Sequence, residues 1–235
     1  MNWIIIVAGG NGERIHLGYN KIFARIYGKP IIFWTLQQFE KTACIDHIAI
    51  SAQKKDIPKI RHIVESGGFS KVVYLCPATS SRQASTFTIL NFLKNRIIAS
   101  DLVGIHNAVN PFVKRSEVEA VFKAAQKYQA ALLAQSATDT IKITNGDNLV
   151  SHTPLRQTAW YAQTPQVAKF DKLWQAFFQA HADDFLGTDD TQLLERIGIR
   201  AKIVPCSHQN VKITFPEDLI LAERIMKDFQ NKDYV

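Results

Sequence analysis

The residues best suited to chemistry gather near the start of the chain, in Ala8-Gly9-Gly10-Asn11-Gly12-Glu13-Arg14, with Lys21 seven residues beyond Arg14. They follow an apolar run, Trp3-Ile4-Ile5-Ile6-Val7, that reads as a buried strand. In an open α/β sheet the ligand crevice lies beyond the carboxyl ends of the strands, which is where this loop falls. Glycines let the backbone approach a phosphate chain closely, and successive N–H groups form an anion-binding nest. Two cations beside such a nest suit the charge that develops on a phosphorus during group transfer. The bland alternative is a structural glycine turn flanked by solvated cations. Ile15 stands where a dinucleotide fingerprint needs a third small residue, and the Gly-Lys-Ser/Thr ending of a P-loop is missing. A dehydrogenase is therefore disfavoured.

The elements that must position this loop follow from patterning. Short β-branched runs alternate with helical periodicity, which predicts a mostly parallel sheet covered by helices. Strands are expected at 3–7, 47–52, 71–76, 102–106, 130–135 and 201–205. Helices are expected at 30–42, 56–66, 81–95, 116–128, 171–181, 189–197 and 216–230. Ser116 with Glu119, and Thr214 with Glu217 ahead of Pro216, have capping-box spacing. Residues 139–163 break the alternation: they read as an extended arm turning at Asn145-Gly146. A hairpin with little core of its own needs a partner surface, either a second copy of the chain or its own body.

Composition narrows the class. The 235 residues and 46% hydrophobic content suit one α/β domain with an arm. The net charge of +7 is spread along the chain rather than drawn into a stripe. That fits anionic small substrates and gives no reason to expect nucleic acid or a membrane as partner. Cys44, Cys76 and Cys206 are widely spaced and odd in number, which points to a reduced, cytoplasmic setting and no structural zinc.

Further segments, taken in order, resemble the methylerythritol-phosphate cytidylyltransferases and the related ribitol-phosphate cytidylyltransferases. Beyond the glycine loop they are Lys21 with Gly28-Lys29-Pro30-Ile31, Ser81-Arg82-Gln83-Ala84-Ser85, His106-Asn107-Ala108-Val109-Asn110-Pro111-Phe112 and Asp139-Thr140-Ile141-Lys142. Arg156, Gln163-Thr164-Pro165-Gln166, Thr188-Asp189-Asp190 and the stretch from Asn210 to Leu219 complete the set. The resemblance implies a Rossmann-like, doubly wound fold in which 1–235 is a single nucleotidyltransferase domain and 139–163 a projecting arm for homodimerisation. It implies Mg²⁺-assisted transfer of CMP from CTP to a phosphorylated polyol, methylerythritol phosphate or a pentitol phosphate, with release of pyrophosphate. On that basis Arg14 and Lys21 would stabilise the transition state. Ala8, Gly9, Gly10, Asn11, Gly12, Thr79, Ser80, Arg82, Ser85 and Asn107 would hold the nucleotide. Arg156, reaching across the dimer, and Lys212 would orient the acceptor phosphate, with Asn110, Thr140, Thr164 and Thr188 on the acceptor.

The sequence departs from that family at four points. Asn107 replaces the acidic metal-site residue, leaving a weak neutral ligand. Asn110 replaces an arginine, so one negative and one positive charge are lost together. Ala78-Thr79 replaces a glycine pair beside the base, and Asn20 replaces a proline before Lys21. These changes leave open an altered base or acceptor, or a nucleotide-binding pseudoenzyme; retention of Arg14, Lys21, Arg156 and Lys212 argues against the last. Asp189-Asp190 reads as a first helical turn capped by Thr188 in preference to a metal pair. His106 reads as a satisfied core histidine as readily as a catalytic one, and Trp160 and Tyr161 as arm packing. Trp34 and Phe39 read as helix core, and His47, His62, His152, His181 and His208 have no ligand spacing.

Overall fold

Alternating side chains of the first strand point to opposite faces, and both faces are apolar, so the strand needs cover on each side. The computed structural model, which describes residues 1–10 and 19–231, gives it that cover. In chain order the elements begin β1 (Asn2–Ala8), β2 (Arg25–Ile26), β3 (Lys29–Pro30), α1 (Ile31–Glu40), β4 (His47–Ala52), α2 (Ile57–Gly67), β5 (Val72–Pro77) and α3 (Arg82–Leu93). They continue β6 (Leu102–Asn107), α4 (Arg115–Tyr128), β7 (Ala130–Ser136), β8 (Ile143–Thr144), β9 (Val150–His152) and β10 (Trp160–Lys169). The last are α5 (Phe170–Ala182), α6 (Asp190–Arg196), β11 (Lys202–Pro205) and α7 (Pro216–Asn231). Ile4, Ile6 and Ala8 pack with Phe39, Phe112 and Phe122 on one face of the sheet. Trp3 and Ile5 pack with Leu90, Leu93, Phe170 and Phe177 on the other.

The main sheet has seven strands in the order β11-β7-β10-β6-β1-β4-β5. β1 runs parallel to both β4 and β6, so strand order reverses between β1 and β6. That switch point opens a crevice at the carboxyl ends of β1 and β6. β10 alone is antiparallel, to β6 on one side and β7 on the other. Its amino-terminal half therefore lies at the same sheet edge as the ends of β1, β5 and β6.

This strand corrects the expectation that 139–163 belongs wholly to the arm. Gln163-Thr164-Pro165-Gln166 looks unlike a central strand because proline cannot donate to a ladder. The sheet absorbs it with a register shift between Ala162 and Gln166, so Pro165 sits where pairing is interrupted. The arm itself is the short pair β8 and β9, with Ile143 opposite His152 and Thr144 opposite Val150. Its turn is wider than an Asn-Gly pair. The Asn145 side chain accepts from Asp147 N and Leu149 N at 3.1 and 3.0 Å, and the left-handed residue is Asn148 rather than Gly146.

Two caps also move. Glu117, not Glu119, reaches back to a backbone N–H, that of Lys114, at 3.0 Å, because α4 begins one residue earlier than expected. At the start of α7 the Asp218 carboxylate accepts from Thr214 N and Phe215 N at 2.7 and 2.9 Å, the role expected of Glu217.

Gly104 shows how tightly the sheet and α4 meet. A Cβ there would lie 2.8 Å from Ile4 Cδ1 and 3.0 Å from Phe122 Cζ. Gly104→Ala is expected to destabilise by about 1–3 kcal/mol through overpacking. Phe122→Leu in the same chain should recover part of that loss. Additive costs in urea unfolding of the single and double variants would show that the two sites do not share this contact.

Candidate functional site

The carboxyl end of β1 and the end of β5 form the walls of a cradle. A cavity of about 300 Å³ lies between Val7, Gly9 and Gly10 on one side and Ala78, Thr79 and Ser80 on the other, with Ser85 at its floor. A Cβ at Gly9 would lie 2.5 Å from the Ala78 Cβ, so glycine is required there by the methyl opposite. The cavity size falls within the range of small-ligand sites.

The loop from Thr79 to Ser85 is built by local capping. Ser81 caps α3, accepting from Ala84 N at 3.0 Å. The buried Ser85 hydroxyl donates to Ser81 O at 2.7 Å and accepts from Thr79 N at 2.9 Å. These bonds hold the amino terminus of α3 against the cavity, where its unpaired N–H groups and positive dipole end favour an anion.

Asn20 does far more than a minor substitution would. It is buried, donates to Ala8 O at 3.3 Å and to Asp56 Oδ2 at 2.8 Å, and accepts from Ile22 N at 3.3 Å. One amide thus ties the end of β1 to the start of α2 and caps the short turn that carries Lys21. Gln53 adds a bond to Gly9 O at 3.3 Å. Arg14, Asn11 and Gly12 lie outside the described residues.

A second cluster faces the cradle from β6, β10 and α6. Arg82 donates through both terminal nitrogens to Asp190, at 2.7 and 2.6 Å, and through Nε to Asn107 Oδ1 at 3.4 Å. Burial works against the guanidinium charge, but Asp190, with Asp189 adding, more than offsets it and raises the pKa. Asn107 Nδ2 donates to Asn110 Oδ1 at 3.2 Å. Asn107 N donates to Thr164 Oγ1 at 3.4 Å. Gln166, which the sequence offered only as part of a motif, receives the N–H groups of Asp190 and Thr191, both at 2.9 Å, and donates to Asp189 at 2.9 Å.

Asp189, not Thr188, caps α6, accepting from Gln192 N at 2.8 Å. Thr188 is exposed and bonds Gln192 Oε1 through N and Oγ1. The neighbours of Lys212 dock beside this cluster. Asn210 donates to Thr164 O at 3.1 Å, and Ile213 N to Val109 O at 2.9 Å. Arg156 and Thr140 are exposed and belong to the arm side, with Arg156 Nη1 on Thr138 O at 3.4 Å. The described residues thus bring together two groups, Gly9, Gly10, Thr79, Ser80 and Ser85, and Arg82, Asn107, Asn110, Thr164 and Thr188, while Lys212 lies in a segment whose neighbours bond Thr164 and Val109. Arg156 and Thr140 stand apart from both.

The family model for IspD, 2-C-methyl-D-erythritol 4-phosphate cytidylyltransferase, matches residues 3–228. The chain belongs to this family. A relative so named from Geobacter metallireducens is 37% identical over 225 residues, covering 95% of this chain and 97% of its own. One from Geotalea uraniireducens is 37% identical and covers 97% of each chain. The solved 4-diphosphocytidyl-2C-methyl-D-erythritol synthase of Anaerococcus prevotii superposes with a TM-score of 0.84 at 28% identity, covering 97% of this chain and 96% of that one. As an IspD-family member the chain is an enzyme, a nucleotidyltransferase.

Against the IspD pattern, Asn107 and Asn110 leave neutral amides that bond to each other. The described residues do not fit a metal held by the protein. They contain no group of three His, Cys, Asp or Glu able to hold one. Asp190 is committed to Arg82, and the Asn107 oxygen already accepts from that same guanidinium. An uncharged amide so engaged is a weak partner for a hard cation.

His106 is fully buried, its Nε2 2.9 Å from Asn110 O and its ring 4.8 Å from Phe39. Burial pushes its pKa down to about 4, against the raising effect of the Asn110 and Thr164 backbone. It is a core histidine, neutral at physiological pH. Between its ordinary pKa near 6.5 and about 4, the unfolded chain takes up a proton that the folded chain refuses. Stability should therefore fall with pH across that window, by about 3 kcal/mol in all. Urea midpoints at pH 7 and pH 4.5 should differ more for the wild type than for His106→Asn; equal differences would remove His106 from the linkage.

Proposed function

We propose that this enzyme transfers CMP from CTP to 2-C-methyl-D-erythritol 4-phosphate and releases pyrophosphate. The glycine-walled cavity at the ends of β1 and β5, with Thr164 and Thr188 beyond Arg82 and Asn107, is the observation that carries this reading. Its support from kinship is that the curated relatives at up to 37% identity carry that name over nearly their whole length. None of those relatives is named for ribitol phosphate, so that acceptor is not favoured.

In the proposed reaction an oxygen of the acceptor phosphate attacks the α-phosphorus of CTP. The bond from that phosphorus to the bridging oxygen of the β-phosphate breaks, and pyrophosphate leaves with the electron pair. Both reactants are anionic, so the barrier falls when fixed cations offset their repulsion and hold them in line. Lys21, placed by the Asn20 cap, and Arg14 would act at the reacting phosphates, with Gly9, Gly10, Asn11, Gly12, Thr79, Ser80 and Ser85 on the nucleotide. Lys212, Thr164 and Thr188 would meet the acceptor, along with Arg156 and Thr140 from a partner's arm. Asn110, 1% exposed, would act through Asn107 rather than by contact. A divalent cation such as Mg²⁺ would enter with the triphosphate and offset part of its charge.

A homodimer is supported by the arm, which exposes Ile143, Leu149, Val150 and Leu155. No helix among the described residues is long and apolar enough to cross a membrane, and the three cysteines are unpaired. Both are compatible with a cytoplasmic site of action.

Pyrophosphate release, measured for each nucleoside triphosphate against methylerythritol and pentitol phosphates, should be greatest with CTP and methylerythritol phosphate. Silence with every pair, while CTP still binds, would support a pseudoenzyme. Lys21→Ala should lower kcat by about 100-fold or more with an unchanged melting temperature. Deleting 142–152 should give monomers in sedimentation; a persisting dimer would exclude the arm as the interface.

A further inference from the structure

We propose that Gln83 is a positioning residue for the acceptor side of the site, acting through the backbone of Phe185 and Gly187. The inference rests on the reading that Thr188 meets the acceptor. Gln83 is the second residue of α3, directly after Arg82, and neither end of its amide is idle. Its Oε1 accepts from Gly187 N at 2.9 Å and its Nε2 donates to Phe185 O at 2.8 Å. The two bonds bracket Leu186, whose exposed side chain offers no anchor of its own.

The segment is otherwise held on the α5 side, at Phe185 N by Ala180 O and at Asp183 by Arg196. It leaves α5 through Asp183 and Asp184, the latter in a left-handed conformation, and reaches Thr188 within four residues. Arg82 grips its far end at Asp190, and Gln83 grips its near end, so consecutive side chains on one helical turn hold both limits of the stretch that carries Thr188. Gly187 is fitted closely: a Cβ there would lie 2.7 Å from Leu193 Cδ2 and 3.1 Å from Asp189 O. Thr188, the next residue, is held on its far side by Gln192 through N and Oγ1, so Gln83 fixes it from the near side. A cavity of about 210 Å³ remains between the α3 turn and residues 186–190, so the segment has room to shift once released.

The same turn of α3 builds the nucleotide cradle through Ser81 and Ser85. Gln83 itself does not line that cradle. Its loss should therefore disturb the acceptor and spare the nucleotide, a split that general loosening of the fold would not produce.

The test is steady-state kinetics of the full chain with CTP and methylerythritol phosphate, for wild type, Gln83→Met and Gln83→Glu. Methionine keeps the volume and removes both bonds; glutamate keeps acceptance from Gly187 N and loses donation to Phe185 O. Gln83→Met is expected to lower kcat/KM for the acceptor by about tenfold, with KM for CTP within about twofold of wild type. Gln83→Glu should lose at least as much, because a carboxylate oxygen then meets the Phe185 carbonyl with no proton between them. Unchanged acceptor kinetics in Gln83→Met would overturn the inference, as would equal losses for both substrates accompanied by a lower melting temperature. A wild type that releases no pyrophosphate overturns the catalytic reading itself, and this inference with it. That failure is seen without any variant.

Discussion

The ion pair between Arg82 and Asp190 joins helices whose starts lie 108 residues apart in sequence, and the order of the site hangs on it. Asp190 is almost wholly buried, so its charge is tolerable only while the guanidinium fork meets both oxygens. The same guanidinium fixes the orientation of the next group: its Nε–H faces the Asn107 oxygen, which turns the Asn107 amide nitrogen toward Asn110. One cation thereby sets the direction of a short amide chain and anchors α6. A bidentate arginine can do this where lysine, a point charge, cannot.

Around that pair the fold divides its labour. The parallel strands β1, β4, β5 and β6 supply a rigid edge, and both faces of β1 are closed by separate apolar clusters. Groups that would recognise ligands sit on turns just beyond the edge, where backbone N–H groups are free of the ladder. Side-chain amides do much of the fastening: Asn20, Gln53, Gln83, Gln166 and Asn210 each reach from one segment to the backbone of another. An amide can donate and accept at once without bringing a net charge into a site meant for polyanions.

Much of this was legible in the sequence because it rests on periodicity. The α/β alternation and the hairpin within residues 139–163 follow from runs of apolar residues and local turn chemistry. What escaped depends on side-chain partners, most of them far away in the chain. Residues 160–163 read as part of the arm, and only the register shift beside Ala162 shows how a central strand accommodates Pro165. Thr188 has the composition of a cap, yet the cap is Asp189, because Gln192 offers its amide oxygen to Thr188 and its N–H to Asp189. Asn20 looked incidental until its contacts with Ala8 and Asp56 were visible. The Arg82–Asp190 pair had no local signal at all.

The contact between Gly9 and Ala78 has a consequence for how this cradle can change over time. The gap between the two backbones admits one methyl group, and at present the β5 side holds it. A side chain on the β1 side would first require its loss opposite, so the two positions are free to drift only in a set sequence. Each wall of the cradle thus keeps a record of what the facing wall has allowed.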